Sequence, residues 1–415
     1  MPKGFFYLIS AQFASGLADN ALLILGIAFL NEQAYPGWWA PLLKFAFTLS
    51  YVLLAPALGP LADAMSKSRL MAAMNGLKLM GVGIFFSGIH PVLAFALVGL
   101  AASAYAPAKY GLVTETVPSK HLVRANGWLE VTVVLSVILG TATGGLLLSL
   151  GTGDEMRPLN EAVIALLGVT LHTQLAGPLV ALMGIYGIAA FLNWGIPPSH
   201  ATYTQRSRKP LAMLHDFADS NRILWQDRIG QMSLSVTTLF WGVGAVIQFA
   251  VLLWAQETMN LPLEKGAYLQ AIVAIGVIAG AGAAGYWIRL EFAEKVLPLG
   301  ILLGLLLPAI AFSDSLNFAI PLMLTIGVAG GILMVPMNAL LQHRGFELLT
   351  AGRSIAVQGF NENASVLVML GLYSLMLAMK LPLNNVMSFL GGAMALGMAR
   401  IAWVHRHPQR QAFRP

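Results

Sequence analysis

One aspartate, Asp19, stands inside an apolar run over roughly residues 5–30. A run of that length crosses the hydrocarbon core of a bilayer, about 30 Å thick. Asp19 is therefore placed near the membrane midplane, where a carboxylate costs about 2.5–3.5 kcal/mol on insertion scales. Gln12, Gly16, Asp19 and Leu23 return to one helical face at spacings of three, four and seven, with Asn20 next to the acid. An acid on a partly polar, glycine-containing face fits a helix that lines a pathway; it also fits a paired acid that only joins helices. The matching cation is Lys109, with Tyr105 one turn before it. Its compact ammonium can meet a phosphate, pair Asp19, snorkel toward the interface, or be neutralised by Glu115.

Further polar groups recur at helical spacing. Asn338 and Gln342 share a face, as do Gln358, Glu362 and Ser365, with Asn363 beside them. Trp241 and Gln248 share another, seven residues apart. Neutral amides suit a polyol or glycerol backbone, and they also join membrane helices. Glu130 and Glu362 are candidate gate residues that exchange partners with Arg124, Arg353 or Arg344; helix capping is the alternative. Gly280-Ala281-Gly282-Ala283-Ala284-Gly285 matches a dinucleotide fingerprint, but it lies in an apolar span with no preceding strand, so it reads as close helix packing. There is no cysteine, no histidine pair at metal spacing, and no His-x-x-x-x-Asp acyltransferase motif. No metal or other cofactor and no enzymatic chemistry are expected, which disfavours a lipid-modifying enzyme.

The elements that must position these groups are membrane helices. Of the 415 residues, 57% are hydrophobic and 10% charged, against about 25% charged in ordinary globular domains. Twelve spans are predicted: 5–30, 40–62, 70–89, 92–117, 123–149, 175–196, 229–256, 266–288, 296–313, 318–341, 352–379 and 383–404. Loop lysines and arginines gather on the side of the termini, while the other side keeps Arg157, Lys265 and Lys380. This places both termini in the cytoplasm. The net charge of +6 is thus a topology signal and gives no reason to expect a nucleic-acid partner. Residues 150–174 form an outer loop whose apolar patch, Ala162 to Leu167, predicts a short interfacial helix. Pro56, Pro60, Pro107, Pro308 and Pro336 are expected as kinks within spans.

Residues 197–228, with the basic run Arg206-Ser207-Arg208-Lys209, form a polar cytoplasmic linker. They divide a bundle over 1–196 from a second over 229–405, with a cytoplasmic tail at 406–415. The halves repeat. Asn126-Gly127-Trp128-Leu129-Glu130 opens the fifth span and Gln358-Gly359-Phe360-Asn361-Glu362 the eleventh; Pro107-Ala108-Lys109 in the fourth matches Pro336-Met337-Asn338 in the tenth. Internal repeats around a midplane site are a secondary-transporter architecture. The fold class is an all-α membrane protein of two pseudo-symmetric six-helix bundles.

The loop Gly59-Pro60-Leu61-Ala62-Asp63-Ala64-Met65-Ser66-Lys67-Ser68-Arg69 resembles the signature loop of the major facilitator superfamily, departing from it at Ala64 and Ser66. Asp63 is expected to face a helix N-terminus and a nearby cation, latching one transport state. Asp19-Asn20-Ala21-Leu22-Leu23, Asn75-Gly76-Leu77-Lys78-Leu79, Ala104 to Gly111, Leu239-Phe240-Trp241-Gly242 and Val335 to Gln342 narrow the resemblance to the bacterial lysophospholipid transporters, over nearly the whole chain. The resemblance implies a major facilitator fold in the bacterial inner membrane. It implies flipping of lysophosphatidylethanolamine and lysophosphatidylglycerol from the outer to the inner leaflet by alternating access without ATP. Re-acylation would fall to a separate acyl-carrier-protein synthetase/acyltransferase. It favours a phosphate for Lys109 and gives Asp19 the headgroup amine, or Lys109 when the site is empty. The rival reading is proton-coupled efflux of small amphiphiles, with Asp19 as the proton carrier.

Overall fold

The computed structural model describes residues 3–35, 39–87, 89–151, 157–167, 173–197, 199, 201, 203, 209–261 and 263–405. Among them every regular element is a helix: α1 (Lys3–Glu32), α2 (Trp39–Leu53), α3 (Ala55–Ala64), α4 (Lys67–Gly83), α5 (Pro91–Thr116), α6 (Leu122–Gly151), α7 (Arg157–Leu167), α8 (Ala176–Trp194), α9 (Pro210–Gln226), α10 (Arg228–Glu257), α11 (Leu263–Trp287), α12 (Leu297–Ala311), α13 (Leu316–Leu348), α14 (Ala351–Ala378) and α15 (Leu383–Val404), with short 3-10 turns between some of them. Among the described residues eleven helices are long and apolar enough to cross a membrane, or twelve if α2 and α3 make one span.

The second span is broken rather than kinked. Its two pieces meet at 67°. Pro56 has no N–H to give the Val52 carbonyl, and its ring crowds the preceding turn. The chain stops at Leu54 and restarts with the proline in the first turn of α3. Pro60, Pro107, Pro308 and Pro336 instead lie within continuous helices. The apolar patch of the 150–174 loop is helix α7. At 11 residues it is about 16 Å long, too short to span. Asn160 ties it down, donating to the carbonyls of Gly151 and Gln174 and accepting from the Gly177 amide. Helix α9 occupies much of the predicted linker. Arg206 and Arg208 of the basic run, the loop acids Asp154 and Glu155, and the 406–415 tail lie outside the described residues.

The chain forms two compact units whose boundaries cut across the predicted halves. One holds Met1–Thr116, Thr132–Phe217 and Ala351–Ala356; the other holds Val117–Val131, Ala218–Thr350 and Val357–Pro415. The start of α6 thus packs with the later helices, and the start of α14 with the earlier ones.

In the first unit α1 packs on α8, α4 on α5 and α8, and α2 on α5. Its core gathers Leu22, Leu25, Phe29, Leu43, Phe85, Phe95, Leu179 and Tyr186. Phe29 and Phe85 meet edge to face at 5.1 Å, a geometry worth about 0.5–1.5 kcal/mol beyond burial. In lipid, apolar side chains gain little by leaving hydrocarbon, so close approach and internal polar contacts decide which helices pair.

The second unit shows the same rule at α11 and α13. A Cβ at Gly276 would stand 2.5 Å from the Leu324 carbonyl oxygen, and one at Gly331 would stand 2.5 Å from that of Val277. Gly280 meets Val328 in the same way. The Gly280–Gly285 run is a packing surface between two helices.

Asp227 caps the start of α10. Its Oδ1 accepts from the Gly230 amide at 2.8 Å, and Arg344 grips both carboxylate oxygens at 3.1 and 2.7 Å. Partial burial works against its charge, but the Arg344 fork and the amide outweigh burial and hold its pKa below the usual carboxylate value. A depressed folded pKa adds stability above the unfolded pKa, and that stability is lost as pH falls through the folded value. Asp227→Asn keeps a capping side chain and loses the charged fork. It should lower stability by about 1–2 kcal/mol near neutral pH. The gap from wild type should begin to narrow below about pH 4 and keep narrowing as pH falls further. Thermal unfolding in detergent across pH 3–7 reads both; a gap as wide at pH 3 as at pH 7 would contradict the assignment.

Candidate functional site

A cavity of about 240 Å³ opens within the first unit. Helix α1 brings Gln12, Ser15, Asp19 and Asn20 to it, α2 brings Lys44 and Tyr51, α4 brings Lys78, and α5 brings Tyr105 and Lys109. Five sequence candidates, Gln12, Asp19, Asn20, Tyr105 and Lys109, therefore share one wall.

The partner of Asp19 is Lys78, not Lys109. The Lys78 ammonium lies 2.7 Å from Asp19 Oδ2, and the Tyr186 hydroxyl donates to Asp19 Oδ1 at 2.7 Å. Lys78 is 2% exposed. Its ammonium also donates to Ser15 Oγ at 2.9 Å, and Ser15 donates to Asn75 Oδ1 at 2.7 Å. The faces of Tyr105 and Tyr186 stand 5.4 and 5.8 Å from it. Asp19, Lys78, Tyr105 and Tyr186 each lie near the middle of their helices, so helix length and packing deliver four polar groups to one depth. A buried ion pair repays its desolvation only when its remaining donors and acceptors are satisfied, and here they are met from four helices.

Lys109 is buried at the cavity wall, with its ammonium 4.2 Å over the Tyr110 ring. Glu115, its suggested neutraliser, is engaged elsewhere. It pairs Lys67 at 2.5 Å, with both side chains 3% exposed or less, and accepts from the Tyr203 hydroxyl at 2.6 Å. Burial, then the Glu115 carboxylate, push the Tyr203 pKa well above its ordinary value. On a residue that lines the cavity, Gln12 Oε1 is buried without a hydrogen-bond partner among the described residues. Buried groups of this kind ask for a polar ligand or water.

Asp63 meets the first turn of α14. Its Oδ1 accepts from the Gly352 amide at 3.1 Å, with Lys67 4.0 Å away. A helix N-terminus favours a carboxylate through its free N–H groups. The approach is close: a Cβ at Gly352 would stand 2.6 Å from Asp63 Oδ1 and 2.7 Å from the Gly59 carbonyl oxygen. Arg353 reaches Asp216 at 3.6 Å.

The amides group in the second unit. Asn126 and Gln342 exchange two hydrogen bonds at 2.9 Å. Gln358 donates to Asn338 at 2.9 Å and to Glu362 at 2.8 Å. Glu362 thus has an amide where a guanidinium was expected, and Arg344 is taken by Asp227 and Glu347. Arg124 is exposed and Glu130 half-buried. Asn363 caps back onto the Gly359 carbonyl. Trp241 and Gln248 are exposed, and the Gln248 carbonyl accepts from Gln270.

The chain has counterparts among known proteins. A model of the Major Facilitator Superfamily matches residues 4–360. Over 375 residues the chain is 38% identical to the lysophospholipid transporter LplT of Yersinia pestis (strain Pestoides F), covering 90% of this chain and 87% of that protein. The chain belongs to the LplT family of the major facilitator superfamily. Its fold resembles the human organic anion transporter MFSD10, with TM-score 0.74 and 12% identity, covering 97% of this chain and all of that one. It also resembles the fucose:proton symporter FucP of E. coli, with TM-score 0.73 and 16% identity over 98% of each chain. Identities this low show the fold alone. The Asn75-to-Leu79 stretch that carried part of the resemblance holds Lys78, to which sequence reading gives no role. An ionisable residue in mid-span was the available signal.

Proposed function

We propose that this protein flips lysophospholipids from the outer to the inner leaflet of the bacterial inner membrane, by alternating access and without ATP. Lysophosphatidylethanolamine and lysophosphatidylglycerol are the substrates, and a separate acyltransferase restores the missing chain. Family membership supports a non-enzymatic lysophospholipid transporter in a multi-pass membrane protein. The observation that carries the finer reading is the cavity itself, where Lys44, Lys78 and Lys109 line one small space with Gln12 and Tyr105.

Its volume is below the 300–1,000 Å³ of drug-sized pockets. That suits a phosphate and a small headgroup and leaves the acyl chain outside, against apolar surface. Lys109 takes the phosphate as a charge-assisted hydrogen-bond donor, with the Tyr105 hydroxyl as a second donor and Gln12 as an acceptor for headgroup hydroxyls or amine. Each oxygen of Asp19 already accepts one hydrogen bond, from Lys78 or from Tyr186. A headgroup amine would share the carboxylate with them through its remaining acceptor sites. The Asp63 contact with α14 serves as the cytoplasmic latch of one state.

Lys109→Ala should weaken binding of lysophosphatidylethanolamine and lysophosphatidylglycerol alike, by about tenfold each, because both lose the same phosphate contact. Binding to the purified protein measures it. Loss confined to one headgroup would assign Lys109 to something other than phosphate.

A further inference from the structure

The cavity holds a cation that the phosphate assignment leaves unused. Lys44 lies five residues in from Trp39 on α2, is exposed, and lines the cavity. Side chains on a helix lean toward its N-terminus, so a lysine merely reaching for the interface would point back past Trp39. Instead its ammonium lies 5.2 Å from the Phe47 ring, one turn deeper. Among the described residues no carboxylate forms an ion pair with it.

The level of Lys44 follows from its neighbours. Gly26 faces Phe95 and the adjacent Leu43, and Gly26 is seven residues, about 10 Å, beyond Asp19 along α1. On α5, Tyr105 at the Lys78 level is ten residues, about 15 Å, from Phe95, and Lys109 is one turn further. Three ammonium groups thus stand in the order Lys44, Lys78, Lys109 along one cavity, and Asp19 holds Lys78 in an ion pair.

We propose that Lys44 is the first phosphate contact on the substrate path. It receives the phosphate at the end of the cavity remote from the N-terminus, and the phosphate then passes to Lys109. The proposal rests on the lysophospholipid reading and deepens it by assigning the step that sets capture. A cleft lined by one sign of charge raises the local concentration of the opposite charge and speeds association. Lys44 would read the phosphate common to all these lipids rather than the headgroup, so it sets affinity for the class and not selection within it.

The test compares wild type, Lys44→Gln and Lys44→Arg, reconstituted in proteoliposomes for transport and in nanodiscs for binding. Dodecyl phosphate serves as a headgroup-free anionic probe and a monoacylglycerol as its neutral counterpart. Lys44→Gln should raise the KM for both lysophospholipids about tenfold with kcat within about twofold. It should weaken dodecyl phosphate by a similar factor and leave the monoacylglycerol unchanged. Lys44→Arg should restore most of the loss. An unchanged KM with unchanged dodecyl phosphate binding overturns the proposal. So does a fall in kcat alone, or an arginine variant as poor as the glutamine one, since those mark a structural lysine. If wild type carries no lysophospholipid and dodecyl phosphate still depends on Lys44, the substrate reading fails while the phosphate contact stands.

Discussion

Lys78→Met should end transport and lower stability by about 3–5 kcal/mol, the cost of stranding one member of a buried ion pair. The replacement leaves Asp19 Oδ2 without its cation and removes the donor to Ser15. The Tyr186 hydroxyl still reaches Asp19 Oδ1, but one neutral donor does not offset a desolvated carboxylate. Asp19→Asn in the same chain removes the stranded charge. The double variant should recover most of the stability and none of the transport, because the cavity then lacks both members of the pair. Thermal unfolding in detergent and uptake in proteoliposomes separate these outcomes. A single Lys78→Met variant as stable as wild type would contradict a stabilising role for the pair.

The second large effect belongs to Gly352. Gly352→Val places branched carbons where the backbone of Gly59 and the Asp63 carboxylate already stand, at 2.7 and 2.6 Å from the first added atom. Neither is the yielding end of a long side chain, so the start of α14 must move and the Asp63 bond to the Gly352 amide must break. Transport should fall more than tenfold while the protein remains folded, since the damage is confined to one helix end. The chain has no cysteine, so a cysteine at Ser68, a buried residue next in the chain to Lys67, reports the opening. Its labelling by a water-soluble reagent should rise in Gly352→Val and, to a lesser degree, in Asp63→Ala. Unchanged labelling together with near-normal uptake would rule out the latch.

What could be read from the sequence was set by the physics of lipid. Length and apolarity define a span regardless of its neighbours, so the helices α1, α10 and α15 fall close to the predicted 5–30, 229–256 and 383–404. The break at Leu54 was marked only as a possible kink, because a proline in a span is resolved as a bend or a break by what packs around it. Asp19 stood out because an acid in mid-span is costly. Lys78 obeys the same rule but lies in a less uniformly apolar stretch, Lys67–Gly83, and Lys44 lies near the start of Trp39–Leu53, where a lysine reads as a flank. Pairing was the least legible part. A face on one helix does not say which helix it meets, so Asp19 was matched to Lys109 and Glu362 to an arginine, where packing supplies Lys78 and Gln358. The repeated Asn126 and Gln358 motifs look equivalent in sequence, yet Asn126 bonds Gln342 and Gln358 bonds Asn338.

The most direct test of the central claim is leaflet exchange of defined lysophospholipids by the purified wild-type protein. Proteoliposomes receive lysophosphatidylethanolamine or lysophosphatidylglycerol in the outer leaflet, without ATP and without an acyltransferase. The lipid remaining accessible to an added phospholipase or to albumin extraction is followed in time. The account predicts that both lipids become protected faster than in protein-free vesicles and emerge chemically unaltered by mass spectrometry. It predicts that diacyl phospholipids, which carry a second chain that the proposed substrates lack, are left in place. Protection no faster than in empty vesicles, or equal movement of diacyl lipids, would contradict it.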